Sequence, residues 1–418
     1  MLIGAAMLAV GLSASAYADS DAPSYQTIMT KTGEAFQAED WAALNDGLDA
    51  AQALRPYSLY VWKMRILARR LNGDVTGALA LIEKISERGL VIDLSGHEAF
   101  DQLKTEPAYT EIEAQFVANM KPAGDPHVIT QYDDANLLPE AYAVGPSGTC
   151  FIGSVRTGKI IDLSDAAAPK EIAVASGGVF DIEVRGDALW AAVNNQLAYE
   201  QADPENKIAS IVVFDRTTGA VKREVRVSRS EALLGDLEVA KDGTAYASDS
   251  LTPRLFKLAP GGDTLEVFAE DPRFANLQGI ALDDPSHRIF IADYLAGLFV
   301  VDTDTAEVTK IDNSIDAHLG GIDGLYYYQG ALIGIQNGTT PLRIVRITLN
   351  DDATEATGFE VLQQNLDAWN EPTHGAIVKT ELHYIAASNW PSYDKDWNVR
   401  ENAELQPVRI MAVPLDAQ

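Results

Sequence analysis

The segments QGIAL (residues 278–282) and IFIADY (residues 289–294) decide the fold, because together they form one copy of a repeated unit. In each copy a polar residue precedes a short apolar strand. A turn rich in Gly, Asp or Asn follows, and the second apolar strand ends in a polar group. Alternating segments separated by such turns are typical of β-strands. Six copies align at the first-strand positions Ala141, Asp181, Asp236, Gly279, Gly324 and Gly375.

These aligned positions are 40 to 55 residues apart, close to the length of a four-stranded propeller blade. Further apolar strands follow within the copies at residues 159–162, 211–215 and 298–302. A β-sandwich does not repeat at this period, and radial closure of blades hides most strand edges. The sequence therefore predicts an all-β six-bladed β-propeller over residues 123–418.

The preceding residues, 19–122, have a helical pattern instead. Asp40 and Asp74 are 34 residues apart, and each precedes an amphipathic run, as an Asp that caps a helix N-terminus does. Thirty-four residues is the tetratricopeptide period, so this segment resembles a degenerate tetratricopeptide pair. The small α-helical domain is expected either to bind a protein partner or to pack as a cap against the propeller. Residues 122–126, PAGDP, read as the linker.

The charge balance restricts the partners. The 418 residues include 61 acidic and 32 basic residues, for a formal net charge of −29. Because nucleic acids and anionic membranes are bound by clustered Lys and Arg, neither is expected as a partner. The single cysteine excludes an intrachain disulfide and a multi-cysteine metal site. Cations, basic partners or solubility alone are compatible with this surface.

The first residues, 1–18, read MLIGAAMLAVGLSASAYA, an apolar run that ends in a small-x-small pattern. This pattern is typical of a cleaved secretory signal peptide, although the usual positive residues at its start are missing. A buried N-terminal helix is the alternative interpretation. The sequence thus predicts a periplasmic or secreted protein.

The openings of three blades carry a family resemblance: Pro139-Glu140-Ala141, residues 278–282 and Asp323-Gly324-Leu325. They resemble the senescence-marker-protein/gluconolactonase superfamily of six-bladed propellers, many of them calcium-dependent lactonases. The segments YASDS (246–250) and IADY (291–294) also resemble NHL-type blades, whose members mostly bind and do not catalyse. The resemblance covers about 290 residues. It rests on short motifs, which are specific for the fold and weak for the activity.

The resemblance implies a metal site at the channel mouth, formed by a Glu of blade one, an Asn of blade four and an Asp of blade five. Glu140 and Asp323 match the first and third of these ligands, and Gln278 stands at the Asn position, one methylene longer. In blade three the family's Asn-Asp pair reads Gly235-Asp236, so only the Asp is kept.

These residue types suit a divalent cation, and calcium in particular, because calcium takes carboxylate and amide oxygens. The alternative is that each residue only satisfies the backbone of its own blade. His374 occupies the same position in blade six. As a neutral imidazole it is suited to take up a proton, or it is simply an oriented structural histidine.

Two functions remain open at this point. The first is an exported hydrolase that opens a lactone or related ester, with a cation held by Glu140, Gln278 and Asp323 and with Asp236 or His374 handling the proton. The second is a non-catalytic propeller that binds a small ligand or a protein, with the helical repeats docking the partner. The fold is compatible with both functions.

Overall fold

The computed structural model describes residues 23–228 and 231–416, which divide into two compact units between Lys121 and Pro122. The predicted signal peptide, residues 1–18, lies outside the described residues. None of the helices in the described part of the chain is long and apolar enough to span a bilayer.

The first unit is helical, as the 34-residue repeat predicts. The Asp40 and Asp74 carboxylates cap the second and fourth helices by accepting from Ala43 N and Gly77 N, at 3.1 and 2.9 Å. The periodic apolar residues of both runs are buried in the core of this unit. The helices are α1 (Tyr25–Gln37), α2 (Trp41–Leu54), α3 (Leu59–Leu71), α4 (Val75–Glu87), α5 (Glu98–Lys104) and α6 (Tyr109–Asn119).

The second unit contains six antiparallel sheets, so the predicted six-bladed propeller with a helical N-terminal unit is confirmed. Its first strand is β1 (His127–Tyr132). Blade one contains β2 (Pro139–Val144), β3 (Cys150–Ser154), β4 (Lys159–Asp162) and β5 (Lys170–Val174). Blade two contains β6 (Gly178–Arg185), β7 (Ala188–Asn194), β8 (Ala209–Asp215) and β9 (Val221–Arg226). Blade three contains β10 (Leu234–Val239), β11 (Ala245–Asp249), β12 (Arg254–Leu258) and β13 (Leu265–Ala269).

The remaining blades follow the same plan. Blade four contains β14 (Leu277–Asp283), β15 (Arg288–Asp293), β16 (Gly297–Asp302) and β17 (Val308–Lys310). Blade five contains β18 (Asp312–Asn313), β19 (Ile322–Tyr328), β20 (Ala331–Gln336), β21 (Arg343–Leu349) and β22 (Glu355–Gln364), with the short β18 parallel to β22. Blade six contains β23 (Gly375–Val378), β24 (Glu381–Ile385) and β25 (Val408–Pro414).

The ring is closed by strands from the two ends of the unit. The outermost strand of blade six is β1, which pairs antiparallel with β25, so that His127 lies opposite Ala412 and Tyr132 opposite Val408. The inner strands contact one another in the cyclic order β2, β6, β10, β14, β19, β23 and back to β2. Because all six run in the same direction around one axis, the residues at their starts gather at one end of the channel.

The starts of these inner strands are irregular. The pairing register shifts in the first strands of blades one to five, at Pro139/Ala141, Val179/Asp181, Leu234/Leu237, Leu277/Ile280 and Ile322/Leu325. Such bulges bend a strand and redirect a side chain. The inner strands of blades four and five also approach each other closely here. A Cβ on Gly279 of the QGIAL motif would lie 2.3 Å from the carbonyl oxygen of Asp323, so this position requires glycine.

A candidate metal centre at the channel mouth

Glu140, Asp323 and His374 meet at the channel mouth. One ligand atom of each lies within 4.8 Å of the others, and all three residues are buried. Glu140 and Asp323 lie at the bulges of β2 and β19, and His374 immediately precedes β23. The structure therefore brings together two of the three predicted metal ligands with the predicted proton-handling histidine.

The two carboxyl groups have raised pKa values. Burial, and then the charge of Asp323, raise the pKa of Glu140 well above its usual range, while the Trp390 indole N–H opposes this. Burial also raises the pKa of Asp323, while His374 and the amide of Asn337 act to lower it. Two acids held this close favour either a proton or a cation between them.

Among the described residues, lysine and arginine do not supply a compensating charge, and His374 is the basic side chain of this cluster. In the part of the chain that the structure describes, no lysine or arginine forms an ion pair with Glu140, Asp323 or the neighbouring Glu371. Two carboxylates and one imidazole are also groups that divalent metals accept. The donor set of this cluster therefore fits a divalent cation.

His374 has a defined orientation. Its Nδ1 lies 3.2 Å from the carbonyl oxygen of Phe180 and 4.0 Å from Asp181 Oδ1. A carbonyl oxygen only accepts, so the contact requires that Nδ1 carries the proton. A ring whose single proton is on Nδ1 keeps the Nε2 lone pair for a metal or a proton, an arrangement common among metal-binding histidines.

Asp236, predicted as a proton-handling residue, is held by backbone amides. Its Oδ1 accepts from Leu237 N at 2.8 Å, and its Oδ2 accepts from Ile280 N of the next blade at 2.7 Å. Asp181 Oδ2 also accepts from Leu237 N, at 3.0 Å. These carboxyl groups join neighbouring blades, and burial and the nearness of Asp236 raise the pKa of Asp181.

Gln278, the third predicted metal ligand, lies half-buried at the bulge of β14. Its Nε2 donates to Asn276 Oδ1 at 2.8 Å. Only Oε1 of this amide therefore remains to accept from a donor or to contact a cation.

Three further residues at the mouth were missed by the sequence analysis: Tyr294, Trp390 and Glu371. Tyr294 donates its hydroxyl to Asn337 Oδ1 at 2.6 Å, and Asn337 in turn donates to Asp323 Oδ2 at 2.7 Å. Trp390 Nε1 donates to Glu140 Oε2 at 2.5 Å. Burial, with the charge of Asp323, raises the pKa of Glu371 to about 8. None of the three stands at an aligned first-strand position, so the repeat gives no signal for them.

An acidic cavity of about 240 Å³ lies along the inner strands. Asp181 and Asp236 line it, and so do Glu183 and Glu238 further along the same inner strands. Burial raises the pKa of Glu183 to about 7, although Arg185 acts to lower it. Glu140, Asp323 and His374 do not line this cavity, and Asp181, 4.0 Å from His374 Nδ1, lies between the two.

A six-bladed propeller with an acidic candidate metal centre is thus the class that the fold and the site define. No family model and no curated protein matches the chain. The chain is similar to the aldose sugar dehydrogenase of Streptomyces coelicolor, solved with bound PQQ, with 14% identity and a TM-score of 0.49, covering 70% of this chain and 99% of that one.

Two other solved structures are similar at a comparable level. A gluconolactonase of Xanthomonas campestris is similar with 13% identity and a TM-score of 0.48, covering 71% of this chain and 93% of that one. The virginiamycin B lyase of Staphylococcus aureus is similar with 13% identity and a TM-score of 0.45, covering 62% of this chain and 81% of that one. These likenesses concern the propeller fold, which the six sheets establish by themselves.

Proposed function

We propose that the protein is a divalent-cation-dependent hydrolase that opens a lactone or a related ester at the channel mouth. The observation that carries the proposal is the buried cluster of Glu140, Asp323 and His374. Its ligand atoms lie within 4.8 Å of one another, and no lysine or arginine of the described residues pairs with the two acids. A divalent cation in such a site supplies Lewis acidity toward a carbonyl oxygen.

The side chains of the mouth have distinct roles in this proposal. Glu140, Asp323 and His374 hold the cation, and the Phe180 carbonyl keeps the imidazole in the tautomer that leaves Nε2 free. Glu371, whose pKa is raised to about 8, carries its proton at neutral pH, and in this proposal it gives that proton to the leaving oxygen. Asp181 and Asp236 hold the inner strands in place.

The identity of the cation is part of the proposal. Calcium is the ion that the superfamily resemblance implies, and it prefers oxygen ligands. An imidazole as third ligand favours manganese or zinc over calcium. A His374→Gln variant that loses more affinity for zinc than for calcium would therefore report that His374 binds the cation.

Thermal unfolding with added Ca²⁺, Mn²⁺ or Zn²⁺ tests the metal centre. A cation at 100 times its Kd stabilises the native protein by about 2.7 kcal/mol. Asp323→Asn should remove this stabilisation. Asp283→Asn is the control and should keep the stabilisation by the cation. Asp283 is a similarly buried acid, but it lies at the end of β14 away from the channel mouth. If none of the three ions shifts the melting temperature at millimolar concentration, the proposed function fails.

A panel of aldonolactones, homoserine lactones and aryl esters then tests catalysis by the release of acid. Cation binding without turnover would favour the alternative, a non-catalytic propeller that binds a ligand or, through its helical unit, a protein. The amide hydrogen bonds at both oxygens of Asp236 are the observation that favours this alternative. We also propose that the protein is periplasmic or secreted, which fractionation of the producing cells tests.

A further inference from the structure

The segment of residues 389–406, here the blade-six loop, lies between β24 and β25 and is closed at its base. Asn389 Oδ1 accepts from Gln406 N at 2.8 Å, and Asn389 Nδ2 donates to Gln406 O at 2.9 Å. The next residue, Trp390, begins a short 3-10 turn, and its indole nitrogen donates to Glu140 Oε2 at 2.5 Å. A closed loop of blade six therefore contacts a carboxylate of blade one.

The blade-six loop is also held from blade one. Arg156 Nη1 donates to the carbonyl oxygen of Trp397 at 3.2 Å, and the Arg156 guanidinium lies 5.2 Å from the ring centroid of the buried Tyr393. The Trp390 and Trp397 rings meet edge to face at 5.6 Å. These contacts fix the place from which the Trp390 N–H is directed at Glu140.

We propose that Trp390 is the positioning residue of the metal centre: its N–H holds Oε2 of Glu140 and so orients the carboxylate that would bind the cation. The inference rests on the proposed function, because it assumes that Glu140 is a metal ligand. The side chain of an unrestrained glutamate has several rotatable bonds, and it loses conformational entropy when it binds a cation in one geometry. A donor that fixes the carboxylate beforehand reduces this cost.

The hydrogen bond is well suited to this role. A donor to the ionised form also favours the charged carboxylate over the protonated acid, and only the charged form binds a cation strongly. Hydrogen-bond partners of metal ligands are typically worth about 10- to 100-fold in metal affinity. Loss of the Trp390 N–H is therefore expected to weaken cation binding and to leave the other ligands in place.

Trp390→Phe tests the inference, because phenylalanine keeps an aromatic ring and lacks the N–H donor. Trp397→Phe is the matched control, since Trp397 lies in the same loop, contacts Trp390 and does not contact Glu140. Calorimetric titration of the metal-free proteins should give a cation Kd about 10- to 100-fold weaker for Trp390→Phe. The Trp397→Phe Kd should stay within about threefold of the unmodified protein. Trp390→His, which restores a ring N–H, should recover part of the affinity.

A second measurement follows the indole N–H of Trp390 directly. The chain has six tryptophans, so a protein labelled with nitrogen-15 in tryptophan gives six indole N–H signals. One of them should shift when Ca²⁺ or Zn²⁺ is added, and it should be the signal missing from Trp390→Phe.

Three results would overturn the inference: equal Kd values for Trp390→Phe and the unmodified protein, equal losses in both phenylalanine variants, or no indole signal that responds to the cation. In each case the unmodified protein still binds the cation, so the proposed function stands. An unmodified protein that binds no cation refutes the proposed function and this inference together.

Discussion

Two sets of buried acids recur around the propeller, and their hydrogen bonds differ. At the ends of second strands, Asp249 Oδ1 accepts from three backbone amides and its Oδ2 lies 3.0 Å from Arg254 Nε. Asp293 accepts from four backbone amides, two at each oxygen. At the starts of first strands, Glu140 and Asp323 instead receive side-chain donors, Trp390 and Asn337.

The donors around a buried carboxylate thus distinguish a structural acid from a candidate functional one. A carboxylate surrounded by amide donors stabilises its own loop, and one left short of donors in a buried site is held there for a ligand or a proton. Asp181 and Asp236 show that the position of an acid in the blade does not by itself decide whether the acid is structural or functional. They occupy first-strand positions and still accept from the backbone of the neighbouring blade.

The largest effect should come from the structural set. Asp249→Asn leaves the buried Arg254 without its charged partner, which typically costs about 3–5 kcal/mol. Chemical denaturation should report this loss. Asp323→Asn in the metal-free protein is the comparison, and an equal loss there would break the distinction between the two sets.

The pH dependence of stability should come from the mouth. The folded pKa of Glu371 is raised to about 8, above its value in the unfolded chain, so its contribution is complete at low pH and is lost as the pH rises through about 8. Metal-free protein should therefore melt a few degrees lower at pH 8 than at pH 6. Glu371→Gln should flatten this slope, and an unchanged slope would show that other groups dominate.

The cation should reverse that trend. Protons and the cation compete for Glu140 and Asp323, whose pKa values are both raised, so the shift in melting temperature on adding cation should be larger at pH 8 than at pH 6. Melting curves at both pH values with saturating Mn²⁺ measure it. A shift that is larger at pH 6 would argue against these two acids as the ligands.

The smallest effect should come from neutralising one acid of the mouth. Without a cation, Glu140→Gln removes a charge that burial and Asp323 disfavour, so stability should be unchanged or higher by about 1 kcal/mol. Denaturant titration of the metal-free variant measures this. A loss of several kcal/mol would place Glu140 with the structural acids.

The sequence predicts the blades well because the alternation of apolar residues and the turn spacing are local. It does not predict the closure by β1, since HVITQY pairs with a strand some 280 residues further along the chain. The family resemblance points to Glu140 and Asp323. The bonds of Asp236 to Ile280 and of Trp390 to Glu140 depend on how closely two blades approach, which no local pattern encodes.

The pairing of β1 with β25 also sets the order in which the mouth is built. Glu140 follows β1 by a few residues, whereas β25 lies at the end of the described chain. During synthesis, blade one is made long before the strand that completes blade six. The ring is complete only when that last strand has paired with β1, so we expect the neighbourhood of Glu140 and His374 to be fixed late in folding.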